Sequence, residues 1–282
     1  MNKVRIVTDS TSDLSSDILQ KHNISVVPLY VVFGEESLRD GIDITTKELY
    51  ERVKRDGLLP KTSAPSPADF INVFKPIIEA GEDIVYIGIS TFLSSTVQNA
   101  KLAAQELPEG RIEIVDSLNL STGIGMLVMK ASDLAAEGLS AREVADKVSD
   151  YIPKVKTRFI IDTLDYLYKG GRCSALQSFV GGLLKIKPIV AVKDGRMLLE
   201  EKIRGKREKV LANMLDNVML DVDNMDDARV FITHSMSHED AVYLQKELKD
   251  KLKVKEILTT DAGCVISSHC GPNTIGIIFI SK

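Results

Sequence analysis

Short apolar runs rich in β-branched residues alternate with stretches of helical spacing along almost the whole chain. The runs predict strands at Val4–Thr8, Val26–Phe33, Ile84–Ser90, Ile112–Asp116, Arg158–Asp162, Pro188–Val192, Val230–His234, Glu256–Thr260 and Ile275–Ile280. Helix starts are marked between them. "TTKE" at Thr45–Glu48 and "STVQ" at Ser95–Gln98 read as capping boxes, and "SPAD" at Ser66–Asp69 puts proline at the first helical position. Strands separated by helices of this length predict βαβ units and an α/β fold with a mainly parallel sheet.

The alternation breaks at "LDYLYKGGRCSALQSFVGGLL", Leu164–Leu184, which reads as two short helices joined by a glycine turn. "PIVAVKDGRMLLEEKI" follows, two runs around Asp194-Gly195, the strongest hairpin signal in the chain. An antiparallel hairpin inside an α/β pattern predicts a second α/β domain with a mixed sheet. The boundary falls near Tyr151–Lys156, giving an N-terminal domain of residues 1–155 and a C-terminal domain of residues 156–282.

Composition narrows the function classes. With 44% hydrophobic and 27% charged residues, the 282-residue chain has the profile of a soluble globular protein. A formal net charge of -4 argues against a general nucleic-acid binder, which would carry a basic excess. No apolar run reaches the roughly 18 residues of a membrane span, so no stable membrane insertion is expected. The N-terminus runs straight into a strand and only three cysteines occur, which makes the cytoplasm the expected location.

Four polar spots fall at strand ends or helix starts, where open α/β sheets place ligands: "TDSTSD", "KTSAPSP", "FLSSTVQNA" and "SSHCGPNTIG". With Ser95 and Ser66 acting as helix caps, Ser94, Thr62 and Ser63 are left to face a crevice, and His269 adds an imidazole. Helix N-termini favour an anion. Hydroxyls and an imidazole suit one small carboxylate better than a triphosphate, which recruits Lys, Arg or Mg²⁺. Nucleotide fingerprints are missing: there is no Walker sequence, and "GIGMLV" at Gly123–Val128 has valine at the third glycine position and reads as helix packing. An acyl hydrolase using Ser94 and His269 is one alternative, although Phe92 and Thr96 stand where a nucleophile elbow needs glycine. A regulatory module that senses a small acid is another. Cys264, His269 and Cys270 lack the spacing of a structural zinc site, and no metal is expected.

Taken in order, "TDSTSD", "TSAPSP", "ISTFLSSTVQNA", "VDSLNLSTGIG", "YLYKGGRCSALQSFVGGLLKIKPI" and "HCGPNTIG" resemble the DegV family over essentially the whole chain. The resemblance implies a two-domain α/β protein that binds a long-chain fatty acid in a tunnel between its domains. It also implies a role as the fatty-acid-binding subunit (FakB) of a bacterial fatty acid kinase, with no catalysis or cofactor of its own. A separate kinase subunit would phosphorylate the bound carboxylate for phospholipid synthesis. By the same resemblance Thr62, Ser94 and His269 hold the carboxylate; Ser63 and Ser95, their neighbours in the sequence, are expected ligand-binding residues as well. Arg172 and Arg204 match positions near the opening and in kinase docking. Ala64, Ser95, Val97 and Asn273 depart from the usual family residues and bear on the shape of the pocket. The energetics agree with such a ligand: at about 0.8 kcal/mol per buried methylene, roughly 15 methylenes offer on the order of 12 kcal/mol before association costs. "ALQSFVGGLLKI" at Ala175–Ile186 is an expected wall of the tunnel.

Overall fold

The computed structural model describes residues 2–172 and 186–282. Its first sheet is parallel, in the order β2-β1-β6-β7, from β1 Val4–Asp9, β2 Ser25–Val27, β6 Asp83–Gly88 and β7 Ile112–Asp116. Central strands of such a sheet are covered on both faces and read as continuous apolar runs. In β6, Ile84 and Tyr86 meet Phe70 and Phe74 of α3 (Pro67–Glu79) and Val97 and Ala100 of α4 (Thr96–Gln105). The alternate residues Val85 and Ile87 meet α5 (Thr122–Ala136) and α6 (Ala141–Tyr151).

The expected strand over Val26–Phe33 is instead two. Pro28 lacks the N–H that a continuous strand would need, and β2 ends at Val27. Tyr30–Phe33 then forms β3, the centre of a separate antiparallel sheet in the order β4-β3-β5, with β4 Glu36–Arg39 and β5 Lys61–Ser63. Between β4 and β5 lies α2, Thr46–Asp56, with the expected capping box between Thr45 and Glu48.

The third sheet is mixed, in the order β10-β9-β8-β13-β11-β12. It comprises β8 Val155–Ile160, β9 Ile186–Lys193, β10 Arg196–Arg204, β11 Met225–Ser235, β12 Glu256–Asp261 and β13 Thr274–Ser281. Asp194 (φ 51) and Gly195 (φ 78) form the expected hairpin turn between β9 and β10. One face of this sheet packs on α8 (Arg207–Leu220) and α9 (His238–Lys251) through residues such as Ile232, Ile277, Leu211 and Leu244. Phe231, Ile278 and Ile280 on the other face pack in one cluster with Ile124 and Leu127 of α5. Helix α5 therefore lies between the parallel and the mixed sheet, and it is buried nearly all round. Its glycines allow this: a Cβ at Gly125 would stand 2.9 Å from the Ser12 carbonyl oxygen, which fits the packing role read from "GIGMLV". Two short helices complete the parts used below, α7 Asp165–Lys169 and α10 Cys264–Cys270. The second half of the Leu164–Leu184 stretch lies outside the described residues, as does the expected wall Ala175–Ile186 up to residue 185.

Candidate functional site

A cavity of about 890 Å³, its open mouth included, lies between residues of the first 121 positions and residues of the mixed sheet, α7 and α10, with Arg172. Leu29, Ile89 and Leu93 line it from one side, and Phe159, Met197 and Ile278 from the other. Thr62, Ser63, Ser94, Arg172 and His269 line it as well.

These polar residues arrive on different elements. Thr62 sits on β5, a short strand held by pairing with β3, Val31 opposite Thr62. His269 sits in the last turn of α10. The two meet at 2.8 Å between Thr62 Oγ1 and His269 Nε2. Ser94 lies in the turn between β6 and α4, and its Oγ pairs with Thr96 Oγ1 at 2.7 Å. The β5 segment and this turn are tied by Asn99 of α4, which donates to the Pro65 carbonyl at 2.7 Å. Arg172 completes the mouth, donating from Nη1 to the Gly170 carbonyl (2.8 Å) and from Nε to the Leu93 carbonyl (3.3 Å).

Arg172 is the one Lys, Arg, Asp or Glu among the described residues that line the cavity, and its positive charge favours an anion beside it. Burial, reinforced by the Arg172 charge, lowers the His269 pKa to about 4, so the ring is neutral at neutral pH. Its Nδ1 is buried without a hydrogen-bond partner among the described residues. Gly170 packs against that nitrogen; a Cβ there would be 2.3 Å from it. A carboxylate at this mouth would meet two hydroxyls, an imidazole and a guanidinium, an arrangement of charge-assisted hydrogen bonds.

The remaining hydroxyls on the wall have protein partners. Thr157 donates to Asn119 Oδ1 (2.8 Å), Thr233 pairs with Thr260 (3.0 Å), and Ser235 pairs with Tyr50 (2.7 Å) and Ser267 (2.8 Å). Thr274 donates to the Cys270 carbonyl at 2.9 Å. With their bonds made internally, these groups cost little to cover with apolar surface.

Two buried carboxylates hold the helix that carries His269. Asp40 accepts from the backbone N–H of Cys264 (2.7 Å) and Val265 (3.3 Å), and Asp13 accepts from that of Gly263 (2.8 Å). Burial raises both pKa values, that of Asp13 strongly. Asp13 also accepts from Ser121, whose φ of 53 and ψ of -145 are strained for a residue with a side chain. "TDSTSD" marks Asp13 as one of a polar group, but nothing local connects it or Asp40 to α10.

Several expected residues sit differently. Ser95 occupies the N-cap position of α4, yet its φ of -78 and ψ of 4 are not the extended backbone of a capping residue, and its side chain makes no cap bond. Ser94 Oγ takes a weak version of that part, accepting from Thr96 N–H at 3.4 Å. Ser95 is exposed and is absent from the cavity wall, and Ser63 is exposed at its rim. Arg204, expected in partner docking, lies exposed at the end of β10 and is not among the residues that line the cavity. Cys264 and Cys270 are buried thiols with pKa values pushed up to about 12 by burial, and no metal-binding group of His, Cys, Asp or Glu occurs among the described residues. No described helix is long and apolar enough to cross a membrane.

Comparison with known proteins decides the family. The DegV profile, described as "Uncharacterised protein, DegV family", matches residues 3–282. The chain belongs to the DegV family. A DegV domain-containing protein of Caldanaerobacter subterraneus subsp. tengcongensis is 34% identical over 284 residues, covering 100% of both chains. A fatty-acid-binding DegV family protein from Thermus thermophilus superposes with a TM-score of 0.92 at 36% identity, over 99% of this chain and 100% of that one. A stearic acid-binding protein from Eubacterium ventriosum superposes with a TM-score of 0.88 at 31% identity, over 100% and 99% of the two chains. Solved DegV relatives of this fold thus include fatty-acid-binding proteins.

Proposed function

We propose that this DegV protein is a carrier. It binds a long-chain fatty acid in the cavity, between an N-terminal unit of residues 1–155 and a C-terminal unit of residues 156–282. Thr62, Ser94 and His269 hold the carboxylate at the mouth, and a separate fatty acid kinase phosphorylates it there. The observation that carries this reading is the Thr62–His269 pair in the wall of a largely apolar cavity. Arg172 supplies positive charge beside the headgroup, and the exposed Arg204 is available to the partner.

Hydrolysis fits less well. A serine nucleophile needs a base within hydrogen-bond reach and a third group to orient that base. Here His269 Nε2 pairs with Thr62, Ser94 pairs with Thr96, and no acid holds His269 Nδ1 among the described residues. A histidine with a pKa of about 4 is also a poor base at neutral pH.

The test combines the purified protein, a fatty acid kinase catalytic subunit, ATP and a long-chain acid. Acyl phosphate should form only when this protein is present and should fall sharply with Ser94→Ala. Formation at the same rate without it, or release of acid from esters by this protein alone, would reject the carrier role.

A further inference from the structure

The turn that carries Ser94 is clasped by a residue of the mixed sheet. Ser90 opens that turn and is fully buried. Its backbone carbonyl accepts from the N–H groups of Leu93 (2.9 Å) and Ser94 (3.1 Å), so Ser94 closes a single turn that Ser90 begins. Its backbone N–H donates to the Asn119 carbonyl at 2.9 Å. Its hydroxyl accepts from the Phe92 N–H (3.3 Å) and donates to the Gly195 carbonyl (2.9 Å). Every polar group of Ser90 is therefore engaged. Gly195 lies 105 residues further along the chain.

The last pair joining β9 to β8 is Thr157–Val192, and the β9–β10 hairpin runs past it to its tip at Asp194 and Gly195. That tip seats on the turn: a Cβ on Gly195 would stand 2.6 Å from Ser90 Oγ and 2.6 Å from the Phe92 ring. The positive φ of Gly195 already favours glycine, and this contact disfavours asparagine, the other residue that adopts such a φ readily. Met197, two residues on, lines the cavity together with Leu93 and Ser94. From the parallel-sheet side, Asp116 holds Thr91 by its N–H (3.3 Å) and its hydroxyl (2.6 Å). From beyond residue 156, hydrogen bonds among the described residues reach the turn at two points, the Ser90 hydroxyl and the Leu93 carbonyl, the latter from Arg172.

We propose that Ser90 is a positioning residue for Ser94, and that the hairpin tip, through Ser90, sets where the Ser94 hydroxyl stands in the cavity. This rests on the fatty-acid reading above, in which Ser94 holds the carboxylate. Among the described residues, Ser94 Oγ is bonded within its own segment alone, to Thr96. Its place relative to Thr62 and His269 is therefore decided by the backbone of the turn. A hydroxyl-to-carboxylate bond has a narrow range of good distances, so a turn released at Ser90 offers its hydroxyl less well.

The experiment titrates a fluorescent long-chain fatty acid into the delipidated full-length protein and into Ser90→Ala, Ser94→Ala and the double variant. Ser90→Ala should weaken binding about five- to tenfold in the otherwise unaltered protein. In the Ser94→Ala background the same change should alter affinity by less than about twofold, because the group it positions is already gone. A serine that merely holds the fold together would weaken binding by the same factor in both backgrounds. That result, or unchanged affinity in Ser90→Ala, would overturn the proposal. Should Ser90→Ala fail to fold, Gly195→Asn keeps the positive φ while crowding Ser90, and its effect must depend on Ser94 in the same way. These outcomes reject the positioning role alone, whereas no binding by the unaltered protein rejects the fatty-acid reading with it.

Discussion

Gly170 faces His269 so closely that a Cβ on it would lie 2.3 Å from the ring nitrogen Nδ1. Glycine is required there by the neighbour and not by the backbone, whose φ of -75 any residue adopts. Gly170→Ala should therefore push the imidazole off Thr62. Loss of one charge-assisted bond to a carboxylate costs about 1.5–3 kcal/mol, so fatty-acid affinity should fall about ten- to a hundredfold. Titration with a fluorescent fatty acid reads this, and unchanged affinity would show that the ring does not hold the headgroup.

Thr62→Val removes the hydroxyl while keeping the branched shape. Thr62 is partly buried on a three-residue strand, and thermal stability should change little. Affinity should drop about tenfold. The effect should not add to that of His269→Gln, because one hydrogen bond joins the two residues. Full additivity in a double-mutant cycle would mean that the pair does not act together.

The folded-state pKa of His269, about 4, lies below its ordinary 6.5. Above the ordinary value the ring is neutral whether the chain is folded or not, and it imposes no penalty. As pH falls from about 6.5 towards 4, the unfolded chain gains a proton that the folded one refuses, and stability is lost. Asp9, Asp13 and Asp40, with pKa values raised by burial, act in the opposite sense and favour the folded state at low pH. The test is the difference between the unaltered protein and His269→Gln in urea unfolding at each pH. The variant should gain relative stability below pH 6.5, and a pH-independent difference would reject the assignment.

Asp40→Asn turns an acceptor of two backbone N–H groups into a side chain that presents its own N–H to one of them. A buried donor left unpaired costs about 1–3 kcal/mol, and a thermal scan should show a drop of about 2–4 °C per kcal/mol. Because α10 carries His269, fatty-acid affinity should fall too. A stability loss with affinity intact would separate the Asp40 anchor from the site.

The main architecture was legible where burial alone dictates it. Strand β6 is apolar on both faces because helices cover both, and the Asp194-Gly195 turn announces its hairpin through residues that tolerate positive φ. Strands β4 and β5 escaped notice because "ESLR" and "KTS" are short and polar, and only pairing with β3 makes them strands. Thr62 was legible as a free hydroxyl, but not as one seated on a strand. Ser95 misled because a capping box is a spacing, whereas the cap also needs an extended backbone that this turn does not adopt. The Asp13 and Asp40 anchors were hidden for a different reason. Their donors lie 250 and 224 residues away, and no local pattern encodes them.

Native mass spectrometry of the protein as purified is the most direct measurement of the central claim. It should reveal an added mass equal to one long-chain fatty acid, lost or much reduced in the Thr62→Val, His269→Gln double variant. An empty protein that takes up no added acid, or one whose bound acid is unaffected by that double substitution, would contradict it.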